Sequence, residues 1–437
     1  MFASSYNSKL VTAEEAVSSI TSGVNLSMGM GVSEPPALLR ALAERVRCGE
    51  LADLRLYYFE SKEHARETIL SFDLLDRVQP HCMFLSPIER ALIKRGEEEG
   101  RTLVHFVPNH FSQSARFLSE HIGIDTFVVT VSPMDAHGYF TFGTNNDYGS
   151  TVARTARRLI VEVNPRMPRV FGDSLLHVNE VDAIVENEAP LLQVPPAPSK
   201  PEDESIGRRV AELVPNGAVL QMGIGALPNA ICRALANHSD LGIHTELLTP
   251  GLVDLIERGV VSNRLKALNR RKTVFTFAMG DQRLYDFIHD NPGVESHPVS
   301  YVNDPAVIAL LDNVVSINST VEMDLTGACN SEVVAGRQYS GSGGQLDFVR
   351  GAYASRGGKS IIAFHSTAHG GTCSRIVSHL SGPVTTPRTD VHIAATEHGS
   401  LELKGKSLRE RALGLIALAH PKFRDELLHD ATRLRLV

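Results

Sequence analysis

Two stretches of this chain share one pattern of glycine and apolar residues. Residues 23–31 and residues 217–225 both follow the pattern G-x-x-L-x-M-G-x-G. Each copy continues through a proline into the run Arg-Ala-Leu-Ala, which starts at Arg40 after the first copy and at Arg233 after the second. Such a repeat constrains the fold, because the same local sequence specifies the same local structure twice. We interpret the chain as an internal duplication of two similar halves.

A second pair of motifs repeats at almost the same separation. Met134 and Asp135 are followed by Gly138, and the same arrangement recurs at residues 323–327. An apolar run precedes each of these motifs. Two matches at one consistent offset support the duplication.

The boundary between the halves is predicted from composition. Residues 193–204 combine prolines with charged residues and have neither a helical nor a strand period, which is typical of an extended linker. We therefore predict an N-terminal α/β domain at residues 1–192 and a C-terminal α/β domain at residues 205–437.

Short apolar runs alternate with helical patterns in both halves. The runs that we predict as buried strands are residues 102–107, 126–131, 158–163, 273–278, 314–317 and 360–364. Residues 111–121 have a helical pattern, and capping boxes begin the first helix at Thr12 and a late helix at Ser407. The alternation predicts two open α/β domains with mostly parallel sheets and crossover helices.

The composition is that of an ordinary soluble globular protein. The chain has 437 residues, of which 43% are hydrophobic and 21% charged, and its net charge is −7. We expect no nucleic-acid partner, which would need a clustered basic face. No run approaches the ~18–20 apolar residues of a membrane span, and the N-terminus lacks a signal-peptide core. The five cysteines form no C-x-x-C motif, which argues against a disulfide framework. We expect a cytoplasmic protein that does not enter the membrane.

The second copy of the glycine repeat has the pattern of a strand, a glycine loop and a helix. Residues 218–222 are the strand candidate, and the glycines after it let the backbone turn sharply and approach a ligand closely. Pro228 suits the first position of the helix, whose free N–H groups would suit an anion. A further segment starts at Gly242 and places Glu246 shortly before a turn. From the residues alone, Glu246 is either a solvated charge at a strand end or a catalytic carboxylate.

Several motifs together resemble the acetyl-CoA hydrolase/transferase family, the group that includes 4-hydroxybutyrate, acetate and itaconate CoA-transferases. That family carries G-I-G-x-x-P followed by G-I-H-[ST]-E, and both occur here, at residues 223–228 and 242–246. Further motifs with the family's pattern lie in the expected order at residues 131–138, 323–327, 341–351 and 405–411. The resemblance covers most of the chain and implies a CoA-transferase-like fold.

The resemblance also implies roles for individual residues. It makes Glu246 the nucleophile that attacks an acyl-CoA thioester and carries a covalent glutamyl-CoA thioester in a ping-pong reaction. It implies contacts to CoA or to the reacting carboxylate from Gly223, Ile224, Gly225, Ala226, Leu227, Asn303, Gly341, Gly343 and Gly344. Without the resemblance, residues 223–227 are equally a tight turn, residues 341–344 a flexible hairpin, and Asn303 an Asx turn before a proline.

We expect a CoA-transferase that moves CoA from an acyl-CoA to a small carboxylic acid, with CoA as a co-substrate and no tightly bound cofactor. Acetate, succinate, 4-hydroxybutyrate and itaconate are all open as acceptors, and the family implies a homo-oligomer, a dimer or higher. The alternatives are an acyl-CoA hydrolase of the same family and a non-catalytic acyl-CoA-binding module. We expect no metal site, because His365 and His369 lack helix-forming neighbours and no H-E-x-x-H motif occurs. Ser400 and Leu401 replace the family's usual Val-Ala, which indicates a subgroup with its own acid specificity.

Overall fold

The chain forms two compact units in the computed structural model, which describes residues 2–195 and 197–437. The first unit holds the described residues up to Pro195 together with Val274–Tyr301, and the second unit holds the other described residues. In the predicted linker, Pro196 lies outside the described residues and the last positions already belong to a helix.

The helices of both units are given in chain order. They are α1 (Phe2–Lys9), α2 (Ala13–Ser18), α3 (Pro36–Arg47), α4 (Glu63–Glu67), α5 (Pro87–Glu99), α6 (Ser114–Arg116), α7 (Gly149–Thr155), α8 (Pro201–Leu213), α9 (Ala226–Ala234), α10 (Pro250–Glu257), α11 (Gln282–Ile288), α12 (Val299–Val302), α13 (Pro305–Ala309), α14 (Gln345–Ala354), α15 (Leu408–Leu418) and α16 (Arg424–Arg433).

The strands are numbered in the same way. They are β1 (Asn25–Met28), β2 (Leu54–Tyr58), β3 (Val78–Cys82), β4 (His105–Phe106), β5 (Thr126–Val131), β6 (Tyr139–Thr141), β7 (Arg158–Val163), β8 (Phe171–Gly172), β9 (Leu175–His177), β10 (Ala183–Glu186), β11 (Val219–Met222), β12 (Gly242–Leu248), β13 (Thr273–Ala278), β14 (Val294–Ser296), β15 (Val314–Asn318), β16 (Glu322–Asp324), β17 (Cys329–Asn330), β18 (Val333–Val334), β19 (Arg337–Gln338), β20 (Lys359–Ala363), β21 (Thr367–Ala368), β22 (Cys373–Ser374), β23 (Ile376–Val377), β24 (Ile393–Thr396) and β25 (Gly399–Glu402).

The first unit is built on a parallel sheet with the strand order β10-β7-β5-β1-β2-β3-β4. At its centre Leu26 lies beside Leu56 on one neighbouring strand and beside Thr126 on the other. Leu26, Leu56 and side chains of α3 such as Leu39 belong to one buried cluster. A buried parallel strand needs apolar residues on both faces, which explains the continuous apolar runs in the sequence.

The second unit repeats this connectivity. Its strands have the order β24-β20-β15-β11-β12, all of them parallel, and β25 pairs with β24 in the antiparallel sense. Strand β11 pairs with β12 and β15 just as β1 pairs with β2 and β5. Val349, Ile362 and Leu415 belong to a buried cluster of this unit. The predicted α/β fold with mostly parallel sheets is confirmed, and the repeat seen in the sequence recurs in the order of the strands.

Residues 274–301 group with the first unit, although their place in the chain put them in the predicted domain 205–437. Two contacts account for this. Strand β14 pairs in parallel with β8, and the N–H of Asn146 donates to the carbonyl of Thr276. Backbone pairing therefore groups this segment with residues that are distant in the sequence.

Local predictions met with mixed success. The capping boxes at Thr12 and Ser407 are confirmed, but α1 precedes the helix that Thr12 begins. Only His105–Phe106 of the predicted strand 102–107 forms a strand. The predicted helix 111–121 is a 3-10 turn, the short α6 and a π-helical turn at Phe117–Ile122 in succession.

Within the described part of the chain, no helix combines the length and the apolar character that spanning a bilayer requires.

Candidate active site

The glycine loop of the second repeat connects β11 to α9. Strand β11 is buried, whereas Ile224 in the loop is 42% exposed. Gly225 has a φ of +127°, a conformation that suits glycine because any Cβ would be strained there. Helix α9 begins at Ala226, so Pro228 is its third residue and not its first. A proline is tolerated there because the N–H groups of the first turn have no acceptor within the helix.

The loop lines a cavity of about 390 Å³ in the second unit. The sequence-predicted residues Gly223, Ile224, Gly225, Ala226 and Leu227 all contribute to its wall. The wall also carries ionisable side chains, namely Lys200, Asp203, His365 and Arg375. The structure therefore brings the predicted CoA-binding loop together with a set of ionisable side chains that sequence reasoning missed.

Glu246 lies near the carboxyl end of β12. The register pairs Val219 with Gly242 and Leu220 with Ile243, so Glu246 is beyond the last paired residues of these two strands. It is the least buried residue of its strand. In open parallel sheets, ligands bind outside the carboxyl ends of the strands. The position of Glu246 is therefore suited to a carboxylate that meets a ligand.

Asn303 donates to Glu246. Its side-chain nitrogen Nδ2 lies 2.6 Å from Oε2 of Glu246, and the residue is fully buried. Its side-chain oxygen Oδ1 has no hydrogen-bond partner among the described residues. The Asx turn before Pro305 is made by Asp304, whose Oδ1 accepts the N–H of Ala306 at 2.8 Å. Of the two readings of Asn303 that the sequence left open, the structure thus assigns the turn to its neighbour.

His244 fixes the backbone just ahead of Asn303. Its Nε2 lies 2.8 Å from the carbonyl oxygen of Val302, and the residue is fully buried. His244 precedes Glu246 by two residues on the same strand, so both side chains point to the same face. Sequence reasoning did not single out His244, although it stands inside the G-I-H-T-E motif that drew attention to Glu246.

The second glycine loop closes over the same carboxylate. A Cβ added to Gly344 would lie 1.9 Å from Oε2 of Glu246 and 2.1 Å from Nδ2 of Asn303. Gly344 is the residue before α14, so the positive end of that helix faces the carboxylate. Gly341 and Gly343 are buried in the same loop.

The predicted site residues thus form two groups. Glu246, Asn303 and Gly344 are in mutual contact. The loop from Gly223 to Leu227 lines the cavity, and among the described residues that line it none belongs to the first group.

Across residues 2–195 and 197–437, no three or more His, Cys, Asp and Glu side chains cluster in a way that could hold a metal ion.

Comparison with known proteins identifies the family of the chain. Residues 2–195 match the family model of the acetyl-CoA hydrolase/transferase N-terminal domain, and residues 280–431 match that of its C-terminal domain. The chain belongs to the acetyl-CoA hydrolase/transferase family.

Individual relatives align over nearly the whole chain. It is 42% identical to a succinyl-CoA:cyclohexane-1-carboxylate CoA transferase of Geobacter metallireducens, over 99% of this chain and 97% of that protein. It is 40% identical to a 4-hydroxybutyrate coenzyme A transferase of Clostridium kluyveri, over 97% of each chain. The crystal structure of RipA from Yersinia pestis superimposes with a TM-score of 0.97 at 58% identity and covers 100% of both chains. As a member of this family with such relatives, the chain is an enzyme that transfers CoA.

Proposed function

We propose that this enzyme transfers CoA from an acyl-CoA to a small carboxylic acid through a covalent thioester on Glu246. The observation that carries the proposal is the contact of Glu246 with Asn303 at 2.6 Å, beneath a glycine loop that leaves no room for a Cβ. A carboxylate held this way has a fixed orientation. A fixed orientation favours attack on a bound thioester.

The reaction begins with attack by one carboxylate oxygen of Glu246 on the thioester carbonyl. The carbon–sulfur bond breaks, CoA leaves as the thiolate, and the acyl group joins Glu246 in a mixed anhydride. The thiolate then attacks the side-chain carbonyl of Glu246, the anhydride bond breaks, and the first acid leaves as its carboxylate. Glu246 now carries CoA as a thioester, so the energy of the original thioester is retained.

The acceptor acid reverses these steps. Its carboxylate attacks the glutamyl thioester and displaces the thiolate, and the thiolate then attacks the acceptor's acyl carbon. The new acyl-CoA leaves and Glu246 is again a carboxylate, with no water consumed. Ping-pong kinetics follow from this order of events.

The neighbours of Glu246 have distinct roles in this scheme. Asn303 donates to one carboxylate oxygen and so orients the other for attack, and its Nδ2 stays close when that oxygen becomes part of a tetrahedral intermediate. The loop of Gly341, Gly343 and Gly344 supplies backbone N–H groups near the reacting carbon. The loop from Gly223 to Leu227 contacts CoA.

The choice of acceptor and the cellular setting are also part of the proposal. Acetate, succinate, 4-hydroxybutyrate and itaconate are the acceptors to assay first, with acetyl-CoA and succinyl-CoA as donors. We place the enzyme in the cytoplasm as a homo-oligomer, a state that light scattering coupled to gel filtration measures directly.

The decisive experiment is intact-protein mass spectrometry after incubation with succinyl-CoA or acetyl-CoA, followed by borohydride reduction. Wild type is expected to gain the mass of CoA less one water, and reduction is expected to convert Glu246 to the corresponding alcohol. Glu246→Gln is expected to gain no mass and to lose transfer activity. Glu98→Gln removes a carboxylate from the exposed face of α5 and serves as the matched control.

Two other outcomes would replace the proposal. Release of free CoA in water at an undiminished rate, without an adduct, would indicate an acyl-CoA hydrolase. Binding of CoA with neither adduct nor turnover of any donor would indicate a binding module.

A further inference from the structure

Arg375 lies on the wall of the cavity beside the glycine loop. It is partly buried, and its Nε donates to the carbonyl of Val321 at 2.9 Å. Among the described residues it forms no ion pair, whereas Arg350 pairs with Asp390 on the surface of the same unit. Burial lowers the pKa of Arg375, but a guanidinium remains charged at neutral pH. A partly desolvated cation of this kind is stabilised by an anion.

The acidic groups near this cavity are already occupied. Oδ1 of Asp203 lies 2.8 Å from Nε2 of His365, and Oδ2 of Asp203 accepts the backbone N–H of Lys200 at 2.8 Å. Asp203 is only 1% exposed, so it cannot move to meet Arg375 without losing both contacts. Glu397 attracts Arg375 electrostatically at longer range. The carboxylate of Glu397 accepts hydrogen bonds from the backbone N–H and from the hydroxyl group of Ser366.

Two further positive features share the wall with Arg375. Lys200 is exposed and forms no ion pair with the described residues. Helix α9 begins at the glycine loop, and the N–H groups of Ala226 and Leu227 have no acceptor within the helix. An arginine fork, a lysine and a helix N-terminus are the groups that proteins use to hold phosphate or carboxylate oxygens.

We propose that this cavity binds an anionic oxygen group of the substrate, with Arg375 as its principal ligand. The group is a phosphate of CoA or the distal carboxylate of a dicarboxylic acyl chain, which share this chemistry. The volume of about 390 Å³ is sufficient for either group. This inference rests on the proposed CoA transfer, because it assigns an anchoring site to the same substrate.

The test compares Arg375→Gln, Arg375→Lys and Lys200→Gln with the matched control Arg356→Gln. Arg356 is exposed and pairs with Asp312 in the same unit, so its loss leaves the cavity unchanged. Calorimetry measures the dissociation constants of CoA and pantetheine. Steady-state kinetics give KM for acetyl-CoA and succinyl-CoA.

Arg375→Gln is expected to weaken the binding of the anionic ligand by about tenfold or more, since a hydrogen bond to a charged group is lost. Arg375→Lys retains the positive charge but not the forked guanidinium. Its affinity for the anionic ligand is expected to lie between those of Arg375→Gln and wild type. Lys200→Gln is expected to have a smaller effect of the same sign, and because Lys200 is exposed this variant is the one whose folding is least at risk.

The pattern across ligands identifies the group. If the cavity holds a phosphate, Arg375→Gln weakens the binding of CoA and of both acyl-CoAs to the same extent. The binding of pantetheine is then unchanged. If the cavity holds a distal carboxylate, only the binding of succinyl-CoA is weakened, and KM rises for succinyl-CoA alone. The inference is overturned if folded Arg375→Gln and Lys200→Gln bind every ligand as wild type does.

Failure of the proposed function would be recognised separately. Arg375→Gln is expected to form the glutamyl-CoA adduct at saturating acyl-CoA, because Arg375 does not take part in bond making. Absence of the adduct in wild type and in Arg356→Gln would instead contradict the role of Glu246.

Discussion

The side-chain amide of Asn303 lies 2.6 Å from the carboxylate of Glu246, although the two residues are 57 positions apart in the sequence. A hydrogen bond to a charged acceptor at this distance is short and strong. It restricts rotation of the carboxylate and leaves one oxygen unoccupied by Asn303. This contact defines the geometry of the candidate site.

Asn303→Ala is expected to lower kcat by about 10- to 100-fold, because a hydrogen bond to a charged group contributes about 1.5–3 kcal/mol. Asn303→Asp is expected to have an even lower kcat than Asn303→Ala at neutral pH, since a second carboxylate would face Glu246 and favour the protonated form of Glu246. Steady-state kinetics with saturating acyl-CoA measure both effects. Equal kcat values for Asn303→Ala and wild type would show that the amide does not assist the reaction.

His244→Leu is expected to lower kcat by about five- to tenfold with little change in KM, because the carbonyl of Val302 loses its donor and Asn303 is no longer held in place. His244→Gln is expected to recover part of the activity, since its amide can donate to the same carbonyl. The effect should vanish when Asn303 is already alanine. A double-mutant cycle with Asn303→Ala measures this coupling, and additive losses would mean that His244 acts by another route.

Gly344→Ala is expected to lower kcat/KM by about a hundredfold, because its Cβ would lie 1.9 Å from Oε2 of Glu246 and displace the carboxylate. Gly149→Ala is the matched control. Its Cβ would meet its nearest neighbour, the ring of Phe127, at 3.6 Å, an ordinary contact distance. An active Gly344→Ala enzyme would contradict the close approach of the loop.

The stability of the first unit is expected to fall as pH rises from about 5 to 8. Burial raises the pKa of Glu34 to about 8, against the opposing N–H donors of Lys62 and Ala65, and burial raises the pKa of Asp147 to about 7. The folded state therefore keeps protons that the unfolded chain loses near its ordinary pKa of about 4, so raising the pH in this window favours unfolding.

Urea denaturation at several pH values measures this dependence. Glu34→Gln cannot ionise and is expected to flatten it, whereas the exposed control Glu98→Gln is expected to leave it unchanged. A free energy of unfolding that is independent of pH in wild type between 5 and 8 would contradict the protonated state of Glu34.

The parts of the fold that were predicted correctly are those that neighbouring residues specify. The apolar runs at 126–131 and 158–163 became buried strands because a parallel strand is covered on both faces. The capping boxes at Thr12 and Ser407 formed because their partners are three residues away.

The parts that were missed depend on contacts between distant residues. His244 forms a hydrogen bond with the carbonyl of Val302, which is 58 positions away in the sequence, and no local sequence pattern predicts that contact. The cavity wall also depends on a long-range contact, since Asp203 and His365 lie 2.8 Å apart in space but 162 positions apart in the sequence. The irregular turns between 111 and 122 also escaped prediction, because a helical period does not distinguish 3-10, α and π hydrogen bonding.

The absence of space beside Gly344 has a consequence for how this gene can vary. Every other amino acid carries the Cβ that this position cannot accept, so none of the codons one nucleotide away from glycine encodes a milder replacement. No single amino-acid substitution at this position is therefore sterically mild. A lineage that keeps Glu246 and Asn303 in this contact must therefore keep this glycine, while positions with more room remain open to substitution.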